Sequence, residues 1–186
     1  MQDTRAKLGP FAIGKRLGEG VHGEVFAAKQ GRQKASRAVK ILHRFERDPH
    51  RFPDGRLEAL NADLQALAFD HSNLVMPRSA GVAPWEDPAT GEPSDVLYLV
   101  SDFVEGPDLY RFTARAAWST ILEVFVSILR GLEALHGRGL RHGHLCASNV
   151  IVFGQGPRKS ARLLDAGLAL EVAETRSMGG LRSFAP

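Results

Sequence analysis

The sequence has little cysteine and no long apolar run. Its single cysteine, Cys146, excludes an internal disulfide and a metal site built from cysteines, and it fits a reducing compartment. The longest apolar stretch, residues 121–129, contains Glu123 and Ser127 and is far too short to span a bilayer. Residues 1–10 carry charges but no apolar core, so we do not expect them to be a secretory signal. We therefore expect a cytoplasmic protein that makes no use of a membrane.

A strong excess of charge is also missing. The chain has 24 basic and 21 acidic residues, for a formal net charge of +3. This small, dispersed excess predicts a mixed solvated surface and no nucleic-acid partner. With 44% apolar and 24% charged residues, the composition is typical of a globular domain that can bury a core.

The first half of the chain is predicted to be mainly strand. Leu57, Leu60, Leu64 and Leu67 recur at helical spacing, which predicts one amphipathic helix over residues 55–69. Strands are expected at residues 11–17, 24–29, 36–42, 74–82 and 96–100. The segment 84–94 is rich in proline, glycine and acidic residues and is expected to be a solvated loop.

The second half is predicted to be mainly helix. A short helix is expected at 109–115 and a long one at 118–136, closed by Gly137 and Gly139. Residues 140–149 are expected to form a loop, followed by short strands at 150–153 and 161–164. The change of pattern near 103–107 predicts an α+β chain with a first part over residues 1–103 and a second over 104–186.

Two motifs with chemical meaning lie in the first part. Gly18, Gly20 and Gly23 form a G-x-G-x-x-G pattern followed by Val25, in a strand–turn–strand setting. Glycines in such a hairpin let backbone N–H groups approach phosphate oxygens. Lys40, in the apolar strand segment Ala-Val-Lys-Ile, needs a counter-charge if it is buried.

Two further motifs lie in the second part. The segment His-Gly-His-Leu-Cys-Ala-Ser-Asn covers residues 142–149 and precedes an apolar strand. Asp165 follows the next strand in the segment Leu-Leu-Asp-Ala-Gly-Leu. Each motif alone also fits an ordinary structural role, but their order and spacing together are specific.

This series resembles the protein kinase family, from residue 13 to residue 186, and it looks most like bacterial Ser/Thr kinases. The segments Gly-Leu-Glu-Ala-Leu-His at 131–136 and Leu-Tyr-Leu-Val at 97–100 add to the resemblance. The resemblance implies a protein-kinase-like two-lobe fold. Its N-lobe would be a five-stranded antiparallel sheet with one helix, and its C-lobe would be partial, mainly helical, and run through the activation segment.

The resemblance also implies ATP and Mg²⁺ as cofactors. The three glycines of the loop would cover the phosphates, and Lys40 would hold the α- and β-phosphates. The adenine would lie against Val25, Ala38 and Ile151, beside the gatekeeper Ser101 and the hinge backbone from Asp102 to Val104. Asn149 and Asp165 match the two metal-binding positions, and both offer oxygen ligands.

The partner of Lys40 in the helix is less clear from the sequence. The family has a glutamate there, and the expected position falls on Ala62. We expect Asp63 to serve with a shift of one residue, in preference to Glu58.

The transfer machinery departs from the family pattern. His144 stands at the position of the catalytic aspartate and Cys146 at that of the catalytic-loop lysine, and Gly180 replaces the threonine that binds both. Gly143 replaces the arginine that would anchor a phosphate on Thr175 or Ser177, and Ala166 replaces the Asp-Phe-Gly phenylalanine, which would leave a cavity.

These departures lead to three hypotheses. The preferred one is a pseudokinase that binds ATP and Mg²⁺ and acts as a scaffold or allosteric partner with little phosphotransfer. The alternatives are an active Ser/Thr kinase with an atypical catalytic loop and a non-functional truncated kinase fragment. The apolar side chains of Ile121, Phe125, Ile128 and Leu132 are expected to face water in part, which implies a partner, oligomerisation or poor solubility.

Overall fold

The computed structural model describes residues 6–20, 23–31, 36–42, 56–86, 91, 93–156 and 158–166. They form two compact units, one from residues 1–68 and 77–103, the other from residues 69–76 and 104–186. The boundary at 103/104 separates the two units, and residues 69–76 belong to the second one. Hydrogen bonds from Val75 N–H to Leu163 O and from Leu163 N–H to Asn73 O, both 2.9 Å, tie this segment there.

The first unit is an antiparallel sheet with one helix. Its strands are β1 (Lys7–Leu8), β2 (Phe11–Gly20), β3 (Gly23–Gln30), β4 (Arg37–Ile41), β5 (Ser79–Glu86) and β6 (Pro93–Asp102). They are arranged in the order β1-β2-β3-β4-β6-β5. The two-residue strand β1 is additional to the five expected strands.

Two expectations about the strands in the first half of the chain were wrong. Residues 74–78 are not part of a strand, and β5 begins only at Ser79. Pro84–Glu86 and Pro93–Ser94 are strand rather than loop. Ala83 and Trp85 are buried while Pro84 and Glu86 are exposed, so the two-residue period continues through the proline. Proline is tolerated there because β5 is an edge strand of the sheet.

One face of the sheet holds the core of the first unit. The buried side chains alternate along the strands, and Phe11, Phe26, Val39, Trp85 and Tyr98 are among the largest of them. Helix α1 (Arg56–Leu67) buries Leu60 and Leu64. The Asn61 side chain fixes α1 to β5, since its Nδ2 donates to Ala80 O (3.1 Å) and its Oδ1 accepts from Ala80 N–H (2.8 Å).

The second unit contains helices α2 (Leu109–Thr113) and α3 (Trp118–His136) and a hairpin of β7 (Val150–Phe153) and β8 (Ser160–Leu163). The Asp108 side chain caps α2 by accepting from Arg111 N–H at 2.7 Å. The predicted bounds of α3 are confirmed. The helix ends in a Schellman pattern, in which Gly139 has φ 71° and Leu140 N–H donates to Leu135 O.

The expected set of water-facing residues on α3 was wrong in part. Ile128 is buried, contrary to the expectation, whereas Ile121 and Leu132 are half-buried and Phe125 is exposed, as expected. The exposed apolar side chains of α3 are Trp118, Leu122, Phe125, Val126 and Leu129. No helix within the described residues is long and apolar enough to cross a membrane.

Candidate functional site

The strand register of the first unit aligns several of the residues implicated in nucleotide binding. Val25 pairs with Gly18 on one side and with Lys40 on the other, and Lys40 pairs with Leu99. Because directly paired residues of an antiparallel sheet point to the same face, these side chains form one row. Val39, between Ala38 and Lys40, points to the opposite face and is fully buried in the core.

A second row of paired residues lies on the same face, two residues before Lys40 on β4. Ala38 pairs with Ala27 on β3 and with Ser101 on β6. All three residues are half-buried rather than part of the core. Val25 and Ala38, which are expected to contact the adenine, and the expected gatekeeper Ser101 therefore share a face with Lys40.

The fold requires only one of the three loop glycines for steric reasons. A Cβ atom at Gly23 would lie 1.8 Å from the carbonyl oxygen of Ile41, so packing against β4 alone requires glycine there. A Cβ at Gly18 or Gly20 would meet nothing within 4 Å. The fold of the described residues therefore gives no steric reason for these two glycines.

The expected partners of Lys40 lie on the exposed part of α1. Asp63 and Glu58 are both exposed, and so is Ala62, whereas Leu60, Asn61 and Leu64 are turned inward. The Lys40–Asp63 pairing stays a prediction.

The end of β6 carries an ion-pair cluster that the sequence reasoning missed. Asp102 pairs through Oδ1 with Nη1 of Arg37, and its Oδ2 lies 2.9 Å from Nη2 of Arg78. These arginines begin β4 and precede β5, so the carboxylate ties together the ends of three strands. Only Asp102 could be singled out from the sequence, as a backbone hinge position, because the arginines lie far from it in the chain. Val104, the other end of the expected hinge, is half-buried at the start of the second unit.

In the second unit, Asn149 and His144 are hydrogen bonded to each other. Nδ2 of Asn149 lies 3.1 Å from Nδ1 of His144 and 2.9 Å from the His144 carbonyl oxygen. Since a carbonyl oxygen only accepts, the group facing it must be the amide NH₂, which fixes the orientation of the Asn149 side chain. In a neutral His144 ring, Nδ1 therefore accepts this hydrogen bond and the proton lies on Nε2.

His142 is a buried histidine at the start of the same loop. Its Nδ1 accepts from His144 N–H at 3.4 Å, and its buried Nε2 has no hydrogen-bond partner among the described residues. Burial lowers the pKa of His142, although the negative charge of Asp165 opposes this effect. His142 is therefore a neutral structural residue of the loop.

The β7–β8 hairpin brings the two expected metal-binding residues to one end. Val150 pairs with Leu163, Asn149 precedes that pair, and Leu164 N–H donates to Asn149 O at 2.8 Å. Asp165 follows directly, with a left-handed φ of 59°. Ile151 is half-buried, while its neighbours Val150 and Val152 point into the core.

This donor set suits a magnesium–nucleotide complex better than an independent metal site. No cluster of three or more histidine, cysteine or acidic side chains occurs among the described residues. Mg²⁺ commonly keeps several waters and takes one or two protein carboxylates plus substrate phosphates. Asp165 and the Oδ1 atom of Asn149, whose Nδ2 faces His144, fit that role.

The substituted positions of the loop have ordinary local contacts. Sγ of Cys146 lies 3.1 Å from Oγ of Ser148, so a contact between a cysteine and a serine side chain occupies the expected lysine position. Gly143 has φ 78°, a conformation that other residues rarely adopt. Ala166 is buried in the core of the second unit. Gly180, Thr175 and Ser177 lie outside the described residues.

A buried polar network around Asn73 was also missed by the sequence reasoning. Nδ2 of Asn73 donates to Ala161 O (2.8 Å) and to Oγ of Ser160 (3.1 Å), which in turn donates to Oγ of Ser127 (3.2 Å). This network connects the segment before β5, strand β8 and helix α3. It holds in place the hairpin that carries Asn149 and Asp165.

Comparisons with known proteins agree with these observations. The chain is 30% identical over 170 residues to serine/threonine-protein kinase pkn2 of Myxococcus xanthus. This alignment covers 90% of this chain and 19% of that protein. It is 29% identical over 167 residues to CBL-interacting protein kinase 17 of Oryza sativa subsp. japonica, covering 88% of this chain and 33% of that protein. The chain thus spans a third or less of the length of these two relatives.

Solved structures show the same fold. The crystal structure of the Mycobacterium tuberculosis PknI kinase domain is similar with a TM-score of 0.60 at 18% identity, covering 98% of this chain and 71% of that one. A double mutant of the same domain gives a TM-score of 0.63 at 19% identity, and the match covers 91% of this chain and 65% of that one. The family model for the protein kinase domain matches residues 11–185. Because that match includes the glycine loop, Lys40, the 142–149 loop and Asp165, the chain belongs to the protein kinase domain family.

Proposed function

We propose that this kinase-like domain binds ATP with Mg²⁺, transfers phosphate little or not at all, and acts as a scaffold or allosteric partner. The observation that carries the proposal is the hydrogen bond between Asn149 and Nδ1 of His144. It bears on the residue that stands where the family has its catalytic base.

The hydrogen bond that His144 makes disfavours phosphate transfer. A general base needs a free lone pair within reach of the hydroxyl proton that it takes. A neutral imidazole has one such lone pair, and in His144 it accepts from Asn149. The other ring nitrogen carries the proton, so His144 cannot take a second one while this bond lasts. Cys146 adds no cation where the family has its lysine.

The nucleotide-binding part of the proposal rests on what each unit retains. In the first unit, Lys40 shares a sheet face with Val25, Ala38 and Ser101. Gly18 and Gly20 leave open space beside the backbone, as expected if phosphate groups approach there. In the second unit, Asn149 and Asp165 supply oxygen ligands suited to Mg²⁺. When bound, ATP would supply the phosphoryl group and Mg²⁺ would neutralise part of its negative charge.

A thermal melt with and without Mg²⁺·ATP tests nucleotide binding. Ligand at about 100 times Kd should stabilise the domain by about 2.7 kcal/mol, or roughly 5–10 °C for a chain of this size. The shift should require Mg²⁺ and should vanish in Lys40→Ala. The exposed Lys15 on β2 provides the matched control, and Lys15→Ala should keep the shift.

A transfer assay then separates the alternatives. The pseudokinase proposal expects no transfer of labelled γ-phosphate to protein under conditions where the melt shows binding. Metal-dependent transfer that Lys40→Ala abolishes would instead support an active kinase. A cooperative melt without a shift would refute nucleotide binding, and the lack of any cooperative melt would support the fragment hypothesis.

A further inference from the structure

The side-chain amide of Asn149 directs both of its N–H bonds at one residue, His144. Its Nδ2 lies 3.1 Å from Nδ1 of the His144 ring and 2.9 Å from the His144 carbonyl oxygen. An amide NH₂ group has two hydrogens, so the two acceptors can take one each. Two hydrogen bonds to a residue five positions earlier in the chain therefore set the plane of the Asn149 amide.

This arrangement presents the amide oxygen of Asn149 to other partners. Oδ1 lies on the branch of the amide opposite to Nδ2, and it makes no hydrogen bond within the described residues. A carbonyl oxygen suits Mg²⁺ as a ligand, whereas an amide NH₂ group only donates. A 180° turn of the amide would bring Oδ1 against the His144 carbonyl oxygen, where both atoms are acceptors. The contacts with His144 thus keep the ligand atom outward.

The backbone of Asn149 is held independently of its side chain. Its N–H donates to Cys146 O at 3.0 Å, and its carbonyl oxygen accepts from Leu164 N–H at 2.8 Å. These main-chain bonds do not involve the His144 ring. A change in that ring should therefore act on the direction of the Asn149 amide and leave the main chain of the loop in place.

We propose that the His144 ring is a positioning residue, which holds Asn149 in the orientation that binds the Mg²⁺ of Mg²⁺·ATP. The inference rests on the proposed nucleotide-binding function. Hydrogen bonds that orient metal ligands typically raise metal affinity about 10- to 100-fold. The lone pair that is lost to proton transfer is thus used to support binding. His144 acts through Asn149 and does not itself contact the metal.

Calorimetric titration of the whole chain with ATP, once with Mg²⁺ and once with EDTA, tests this role. His144→Phe keeps a planar ring without nitrogen atoms. It should weaken Mg²⁺·ATP binding about tenfold and leave the Kd for ATP in EDTA unchanged. His144→Asn places an amide oxygen near the position of Nδ1 and should keep the Kd for Mg²⁺·ATP within about twofold. His136→Phe, at an exposed histidine of α3, is the control and should change neither value.

A double variant tests whether the ring acts through Asn149. In the Asn149→Ala background the ligand is gone, so His144→Phe should weaken Mg²⁺·ATP binding no further. A further loss there would overturn the positioning role. So would a wild-type Kd in folded His144→Phe, or an equal loss with Mg²⁺ and with EDTA. These three outcomes leave nucleotide binding intact, whereas a folded wild type that binds ATP under neither condition would refute both proposals.

The tautomer of the His144 ring gives a test that needs no variant. We expect ¹⁵N shifts of the wild-type ring at about pH 8, where an ordinary imidazole is neutral, to show the proton on Nε2. The Nδ2 protons of Asn149 should give two resolved signals. A proton on Nδ1 of the neutral ring would leave no acceptor for Asn149 and would overturn the proposal.

Discussion

Gly23 approaches β4 so closely that a Cβ atom on it would lie 1.8 Å from the carbonyl oxygen of Ile41. Its φ of 152° also disfavours other residues. At Gly18 the same construction meets nothing within 4 Å. One motif therefore contains a glycine that the fold requires and a glycine that the fold does not require.

This difference predicts opposite outcomes for two alanine variants. Gly23→Ala should lower the free energy of unfolding by about 2 kcal/mol or more, because backbone atoms must move apart. Gly18→Ala should leave stability unchanged or raise it by up to about 1 kcal/mol, and should reduce the thermal shift with Mg²⁺·ATP. Urea denaturation and ligand melts measure both effects. A Gly18→Ala variant that loses stability as Gly23→Ala does would show that the loop glycines have one common structural role.

Restoring the family residues of the catalytic loop should restore phosphotransfer if the loop is the main defect. His144→Asp replaces the occupied imidazole with a carboxylate that has lone pairs to spare, and Cys146→Lys returns a cation. We expect the double variant to raise transfer of labelled γ-phosphate on the order of 10²-fold. Cys146→Lys alone is the control and should give little gain. A folded, ATP-binding double variant without activity would place the defect elsewhere, at Ala166 or at the partner of Lys40.

The buried His142 predicts a pH dependence of stability. Its pKa in the folded domain is lowered from about 6.5, so the unfolded chain binds the proton more readily. The contribution of His142 to the free energy of unfolding should be fully present above about pH 7. It should fall as the pH drops from there toward the pKa of His142 in the folded domain. The slope from this group is at most about 1.4 kcal/mol per pH unit.

Variants at two histidines test whether His142 causes this pH dependence of stability. Urea denaturation across that pH range should show a shallower slope for His142→Leu than for the wild type. His136→Gln changes an exposed histidine at the end of α3 and should keep the wild-type slope. An unchanged slope in His142→Leu would mean that other groups cause the pH dependence.

The Asn73 network predicts a large stability effect from a residue outside the loop motifs. Asn73→Ala removes the bonds to Ala161 and Ser160 and leaves buried polar groups without partners. We expect a loss of about 2–3 kcal/mol in the free energy of unfolding. Gln65→Ala, at an exposed amide on α1, should change it by no more than about 0.5 kcal/mol. Equal small effects at both sites would contradict the structural role of Asn73.

The sequence by itself determined the features that depend on local pattern. The bounds of α3, from Trp118 to His136, follow from helical periodicity and the closing glycines, and β7 follows from a short apolar run. The order of the motifs was enough to identify the family. The start of β5 was placed wrongly because Leu74 and Val75 look like strand residues, yet their backbone binds to β8 rather than to β6.

Only the tertiary structure decided the features that join distant residues. Asp102 lies 65 residues from Arg37 and 24 from Arg78, and no local pattern connects them. The exposed face of α3 depends on the angle at which that helix packs on β8. The bond between Asn149 and Nδ1 of His144 depends on the turn of the loop and on side-chain orientation. The sequence could show that His144 replaces an aspartate, but only the fold shows that its lone pair already accepts a hydrogen bond from Asn149.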